Sequence, residues 1–141
     1  MSENLIINTD GGARGNPGPA AVGVVIKTEN DKIIKRISRN IGITTNNEAE
    51  YQALITALEY LAENSGNLSL KSVKTIKIFI DSSLIVNQVN GLFKVKNSRL
   101  REHIYRIREL EQEIPVSIVY NLIPREKNRQ ADQLVNLALD E

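Results

Sequence analysis

Short apolar runs and helically spaced apolar positions alternate along most of the chain. Leu5-Ile6-Ile7-Asn8-Thr9 predicts a strand that ends at Asp10. The glycine- and proline-dense stretch from Gly11 to Pro19 predicts a turn. Ala20 to Lys27 is β-rich, Glu29-Asn30-Asp31 reads as a hairpin turn, and Lys32 to Ile43 returns with rough alternation. These three strands predict an antiparallel meander. Thr45-Asn46-Asn47-Glu48 then fits a helix capping box, followed by Ala49, Ala53, Leu54, Ala57, Leu58 and Leu61 at helical spacing. Ser65-Gly66-Asn67 ends that helix. Val73 to Ile80 is a β-branched strand ending at Asp81, and Ser82 or Ser83 can cap a short helix from Leu84 to Val89. Ser98 to Glu113 predicts a longer helix with Leu100, Ile104, Ile107, Leu110 and Ile114 on one face, stopped by Pro115. Val116 to Ile123 is the last strand and Pro124 to Asn128 a polar loop. Arg129 to Asp140 is the final helix, with Leu134, Leu137 and Ala138 inward.

The order βββ-α-β-α-α-β-α defines an α/β class. It predicts a five-stranded mixed sheet, three strands antiparallel and two parallel, flanked by helices on both faces. Neither repeat nor linker interrupts residues 1–141, which predict a single domain.

Composition changes this picture little. Hydrophobic residues make up 41% of the chain, enough for a core, and no apolar run nears the roughly 18 residues that span a bilayer. The N-terminus lacks the pattern of a signal peptide, so a cytoplasmic protein without membrane association is expected. The absence of cysteine excludes disulfide and thiolate chemistry.

Charge says more by its distribution than by its sum. The net charge is +1, yet Gly91 to Arg108 holds six basic residues (Lys94, Lys96, Arg99, Arg101, Arg106, Arg108) against one acid, Glu102. The rest of the chain is therefore net acidic. Such a segment is either a solvated helix face or a surface for a phosphate backbone.

The candidate chemistry lies in four carboxylates. Asp10 and Asp81 end strands, while Glu50 and Asp132 lie near helix starts. Open α/β sheets place their sites at such strand and helix ends. Hard oxygen donors, with no cysteine and one histidine, suit Mg²⁺ or Mn²⁺ rather than zinc.

Four blocks carry a resemblance. Thr9-Asp10-Gly11-Gly12-Ala13-Arg14-Gly15-Asn16-Pro17-Gly18-Pro19-Ala20, Thr45-Asn46-Asn47-Glu48-Ala49-Glu50-Tyr51, Asp81-Ser82-Ser83-Leu84-Ile85-Val86 and Pro124-Arg125-Glu126-Lys127-Asn128-Arg129-Gln130-Ala131-Asp132 resemble ribonuclease H of type 1, in order and across nearly the whole chain. The resemblance implies the ribonuclease H-like fold. It also implies an endonuclease that cuts the RNA strand of RNA–DNA hybrids, leaving 5′-phosphate and 3′-hydroxyl ends. Two Mg²⁺ ions, with Mn²⁺ as substitute, would be held by Asp10, Glu50, Asp81 and Asp132. Asp10 would bridge both ions, Glu50 and Asp81 would hold mainly one, and Asp132 the other. Glu48 competes with Glu50, but the family pattern favours Glu50 and leaves Glu48 its capping role.

The same resemblance implies that peptide groups of Gly11, Gly12 and Ala13 meet ribose 2′-hydroxyls, the feature that separates RNA from DNA. Asn16, Thr45, Asn46 and Asn47 match substrate-contacting positions. The chain departs from the pattern in three places. The loop before Asp132 lacks the family's histidine, leaving Arg125 or Lys127 as a cationic substitute, with His103 expected to be a plain surface residue. Ser83 stands where a glutamine often contacts substrate. The basic, tryptophan-bearing protrusion is absent, leaving Phe93, Lys94 and Lys96 as a minimal replacement and implying modest substrate affinity. A monomer is expected. A non-catalytic module binding hybrids or RNA, and a nuclease that also cuts double-stranded RNA, are the alternative functions.

Overall fold

The computed structural model describes residues 3–141. Five strands form one sheet: β1 (Glu3–Ala13), β2 (Gly18–Thr28), β3 (Ile33–Thr44), β4 (Val73–Ile80) and β5 (Ile118–Leu122), in the spatial order β3-β2-β1-β4-β5. β1 pairs antiparallel with β2, and β2 antiparallel with β3. β1 pairs parallel with β4, and β4 parallel with β5. Both parallel connections require crossovers, supplied by the helices α1 (Asn46–Glu63), α2 (Ser83–Val89) and α3 (Ser98–Glu113). Helix α4 (Arg129–Leu139) closes the chain.

The two faces of the sheet pack differently. Tyr51, Leu54, Leu58 and Leu61 of α1 and Ile107 and Leu110 of α3 are buried with Ile7, Val24, Ile26, Ile76 and Ile78 in the main core. On the other face, Val135 and Ala138 of α4 cover Ala21 of β2. The small residues there permit a close approach: a Cβ at Gly23 would lie 2.2 Å from the Ala131 carbonyl oxygen. Strand β2 is consequently buried on both sides, which explains its run of apolar residues without polar alternation.

The predicted elements are all present, with shifted bounds. β1 runs on to Ala13, so Gly11 to Ala13 are strand rather than turn; only Gly15 in this stretch takes a positive φ, +99°. β5 is shorter than the apolar run predicts. Pro124 to Asn128 contains a single 3₁₀ turn, Arg125–Lys127. Leu137 is exposed and Val135 is buried in its place, because α4 packs through residues 131, 135 and 138 at helical spacing.

Candidate active site

Asp10 lies near the end of the central strand, its carboxyl almost fully buried. Glu50 reaches it from the first turns of α1. The Gly11 backbone N–H donates to Glu50 Oε1 at 2.7 Å. That bond requires the helix to sit on the strand, and Gly11 permits it: a Cβ there would meet the Ala49 carbonyl oxygen at 2.1 Å. Asp81 follows directly on β4, beside β1. Oxygen atoms of Asp10, Glu50 and Asp81 all lie within 4.8 Å of one another. Asp132, in the first turn of α4, does not join that trio. It lines a shallow cavity of about 160 Å³ together with Asp10, Gly12 and Arg125, and Asn136 Nδ2 donates to its Oδ2 at 3.4 Å.

The electrostatics follow from this crowding. Burial first, then the neighbouring Glu50 charge, push the Asp10 pKa far above the usual carboxylate range. Burial also lifts Glu50, against the opposing hydrogen bonds from Asp10 and from the Gly11 N–H, while the Arg125 charge favours its ionised form. Three converging hard-oxygen donors, two of them with raised pKa values, fit a divalent cation.

Glu48 faces away from the trio. Its capping partner Thr45 accepts the Glu48 N–H at 3.2 Å, but the Glu48 carboxylate turns to α3, where Arg99 Nε lies 2.9 Å and His103 Nε2 2.7 Å from Oε1. Burial disfavours the Glu48 anion, but the His103 and Arg99 hydrogen bonds outweigh it and hold the pKa below the usual range. His103 is therefore no plain surface residue: it is partly buried, hydrogen-bonded to Glu48 and stacked on Tyr51 at 5.9 Å between ring centroids. Nothing in a helical repeat marks such a partner, because Glu48 is 55 residues away in sequence.

The remaining expected contact residues divide between the acid cavity, the groove beside it, and the start of α2 with the α2–α3 connection. Asn46 links the end of β1 to the start of α1, accepting from the Ala13 N–H at 2.9 Å, while Asn16 Oδ1 accepts from the Asn46 N–H at 2.9 Å. A groove of about 460 Å³ lies beside the acids rather than over them, and Asn16, Thr45, Asn47 and Arg99 line it. Ser83 is exposed at the first turn of α2. Lys94 and Lys96 are exposed between α2 and α3 and form no ion pair among the described residues. The basic segment is divided: Arg99, Arg106 and Arg108 pair with Glu48, Glu59 and Glu111 respectively.

One residue in the site escaped the sequence reasoning. Asn128 is almost fully buried, and its Nδ2 donates to Asp81 Oδ2 at 2.9 Å. Its place in the block ending at Asp132 was the only signal available, since a lone asparagine before a helix reads as a cap.

Sheet order and acid trio together define an α/β protein with a candidate divalent-cation site at the junction of its central strands. Comparisons with known proteins narrow the class. A family model described as "Reverse transcriptase-like" matches residues 8–138. The structure of LC11-RNase H1, isolated from compost by a metagenomic approach, is 47% identical and superposes over 98% of this chain and 96% of that one with a TM-score of 0.91. The structure of LC11-RNase H1 in complex with an RNA/DNA hybrid gives 0.88 over 96% of each chain. "Bifunctional protein Rv2228c" of Mycobacterium tuberculosis is 34% identical over 96% of this chain but only 35% of its own length. "Ribonuclease HI" of Halobacterium salinarum is 39% identical over 94% of this chain and 62% of its own length. The chain thus spans roughly one to two thirds of these two curated relatives. It belongs to the type 1 ribonuclease H family.

Proposed function

We propose that this chain is a divalent-metal-dependent endonuclease that hydrolyses the RNA strand of RNA–DNA hybrids, leaving 5′-phosphate and 3′-hydroxyl ends. The observation that carries this reading is the convergence of Asp10, Glu50 and Asp81 within 4.8 Å, with Asp10 and Glu50 both raised by burial. The crystallised complex of LC11-RNase H1 with an RNA/DNA hybrid supports the choice of substrate. Asp10, Glu50 and Asp81 would hold one Mg²⁺ or Mn²⁺, and Asp132, which lines the same cavity as Asp10, would help hold a second. Such a cation pair supplies Lewis-acid stabilisation of the attacking and leaving oxygens. The protein's own groups do the rest. The buried carboxylates fix where the cations sit, and the Gly11 N–H fixes the orientation of Glu50. Arg125, which lines the cavity with Asp10 and Asp132, would attract the scissile phosphate or the departing 5′-phosphate through its guanidinium. Thr45, Asn47 and Asn16 line the adjoining groove and would orient the hybrid, with exposed Lys94 and Lys96 as phosphate contacts. The whole of 1–141 would act as one domain, and a monomer would suffice because every named group comes from this one chain.

The test is cleavage of matched hybrid, RNA duplex and DNA duplex in Mg²⁺ or Mn²⁺. Cutting of the hybrid's RNA strand alone, with 5′-phosphate ends, supports the reading. Cutting of the RNA duplex as well broadens the substrate class, and no metal-dependent cutting of any substrate contradicts it.

A further inference from the structure

We infer that Asn128 is a positioning residue for cation binding, which fixes the geometry between Asp81 and Asp132; this rests on the metal-site reading above. The side-chain amide of Asn128 sits at a junction of four elements. Its Nδ2 donates to Asp81 Oδ2 at 2.9 Å and to the Thr9 carbonyl oxygen at 2.9 Å. Its Oδ1 accepts from Asn8 Nδ2 at 3.0 Å. Both partners of Nδ2 can only accept from it, so the amide orientation is fixed by chemistry rather than by choice of flip. The backbone of the same residue reaches the other side of the site. Its carbonyl accepts from the Asp132 N–H at 3.1 Å at the first turn of α4, and its N–H donates to the Arg125 carbonyl at 2.9 Å, closing the 3₁₀ turn.

One residue therefore touches Asp81 through its side chain, Asp132 and Arg125 through its backbone, and the strand carrying Asp10 through Thr9 and Asn8. Asp81 is only half-buried and has no other side-chain hydrogen-bond partner among the described residues. Without the amide, its carboxylate is free to rotate. Asparagine suits the position because it brings two donors without charge. An aspartate would set a second anion about 3 Å from Asp81, with no donor for the Thr9 carbonyl. Partners of this kind, behind the metal ligands, commonly set metal affinity by about 10- to 100-fold.

The experiment measures Mn²⁺ binding alone, by the electron-paramagnetic signal of free Mn²⁺, on wild type, Asn128→Ala, Asn8→Ala and Asp81→Asn. Melting temperature and the Mg²⁺ dependence of hybrid cleavage are followed in parallel. Asn128→Ala is expected to raise the Mn²⁺ dissociation constant and the Mg²⁺ concentration for half-maximal cleavage by about tenfold or more, with cleavage recovering in part at high metal. Asn8→Ala keeps both donors but releases the Oδ1 contact, and should shift both quantities about threefold in the same direction. A purely structural asparagine would lower the melting temperature and leave the metal response of the folded protein unchanged. If wild type binds Mn²⁺, Asp81→Asn loses it, and Asn128→Ala binds like wild type, this inference falls and the metal-site reading stands. Should Asn128→Ala fail to fold, an unshifted titration in Asn8→Ala overturns the inference. Absence of Mn²⁺ binding in wild type overturns both.

Discussion

Two glutamates two residues apart on α1 lead opposite lives. Glu50 faces Asp10 and takes the Gly11 N–H, whereas Glu48 faces α3 and takes Arg99 and His103. Glu50→Gln should abolish cleavage in steady-state assays. Glu48→Gln should retain cleavage but lose about 1–3 kcal/mol in denaturant unfolding, because a charged hydrogen-bonded contact is lost in a buried setting. The opposite pattern in the two assays would exchange their roles. Gly11 offers a steric test of the same corner. Gly11→Ala forces a Cβ onto the Ala49 carbonyl, so α1 must shift and carry Glu50 with it. Loss of about 1–3 kcal/mol together with a large fall in cleavage is expected; an alanine variant with wild-type stability would show that the helix can give way freely. At this scale the sequence made three of the four acids legible as a meeting point, because each lies within a few residues of an element's end. It did not make His103 or Asn128 legible, since their partners are 55 and 47 residues distant and no local periodicity encodes such pairs.

At the scale of elements, capping and apolar spacing located α1 and α3 to within a residue, and β4 in full, because each presents one apolar face to one core. The misjudged elements were those whose neighbours override local pattern. β1 continues through its glycines because β2 pairs with it as far as Ala13, opposite Ala20. Leu137 points outward because α4 meets the sheet through small contacts at 131, 135 and 138. The basic segment also divides by partner. Arg99, Arg106 and Arg108 already hold acids, while Lys94, Lys96 and Arg101 have no ion pair among the described residues. Replacing Lys94 and Lys96 by alanine should weaken hybrid binding without moving the cut sites. The slope of log K against log salt should shrink by roughly 0.7–0.9 per lost phosphate contact. An unchanged slope would make this loop a merely solvated surface.

For the whole molecule, the buried pair Asp10 and Glu50 is a source of instability when no cation is present. Asp10 and Glu50 bind protons more readily folded than unfolded, because burial raises both. Their favourable contribution is complete below the ordinary carboxylate range near pH 4 and is lost as the pH rises through the raised values. In EDTA, the melting temperature should therefore fall from about pH 4 upward, through about 7 for Glu50 and on toward about 10 for Asp10, and Mg²⁺ should flatten that fall. Asp10→Asn should flatten it too, raising the metal-free melting temperature at pH 8 by several degrees, about 1–2 kcal/mol for a domain of this size. A melting temperature that climbs with pH in both proteins would mean that these acids ionise without mutual cost.

The central claim is that these carboxylates perform metal-dependent cleavage of hybrid RNA, and single-turnover cleavage of one hybrid by wild type and Asp10→Asn in saturating Mg²⁺ tests it most directly. Asparagine keeps the volume of the side chain and removes its charge, so the variant should fold and bind hybrid. Wild type should cleave and the variant should not do so detectably, with both proteins giving the same far-ultraviolet circular dichroism. Substantial cleavage by folded Asp10→Asn would contradict the claim.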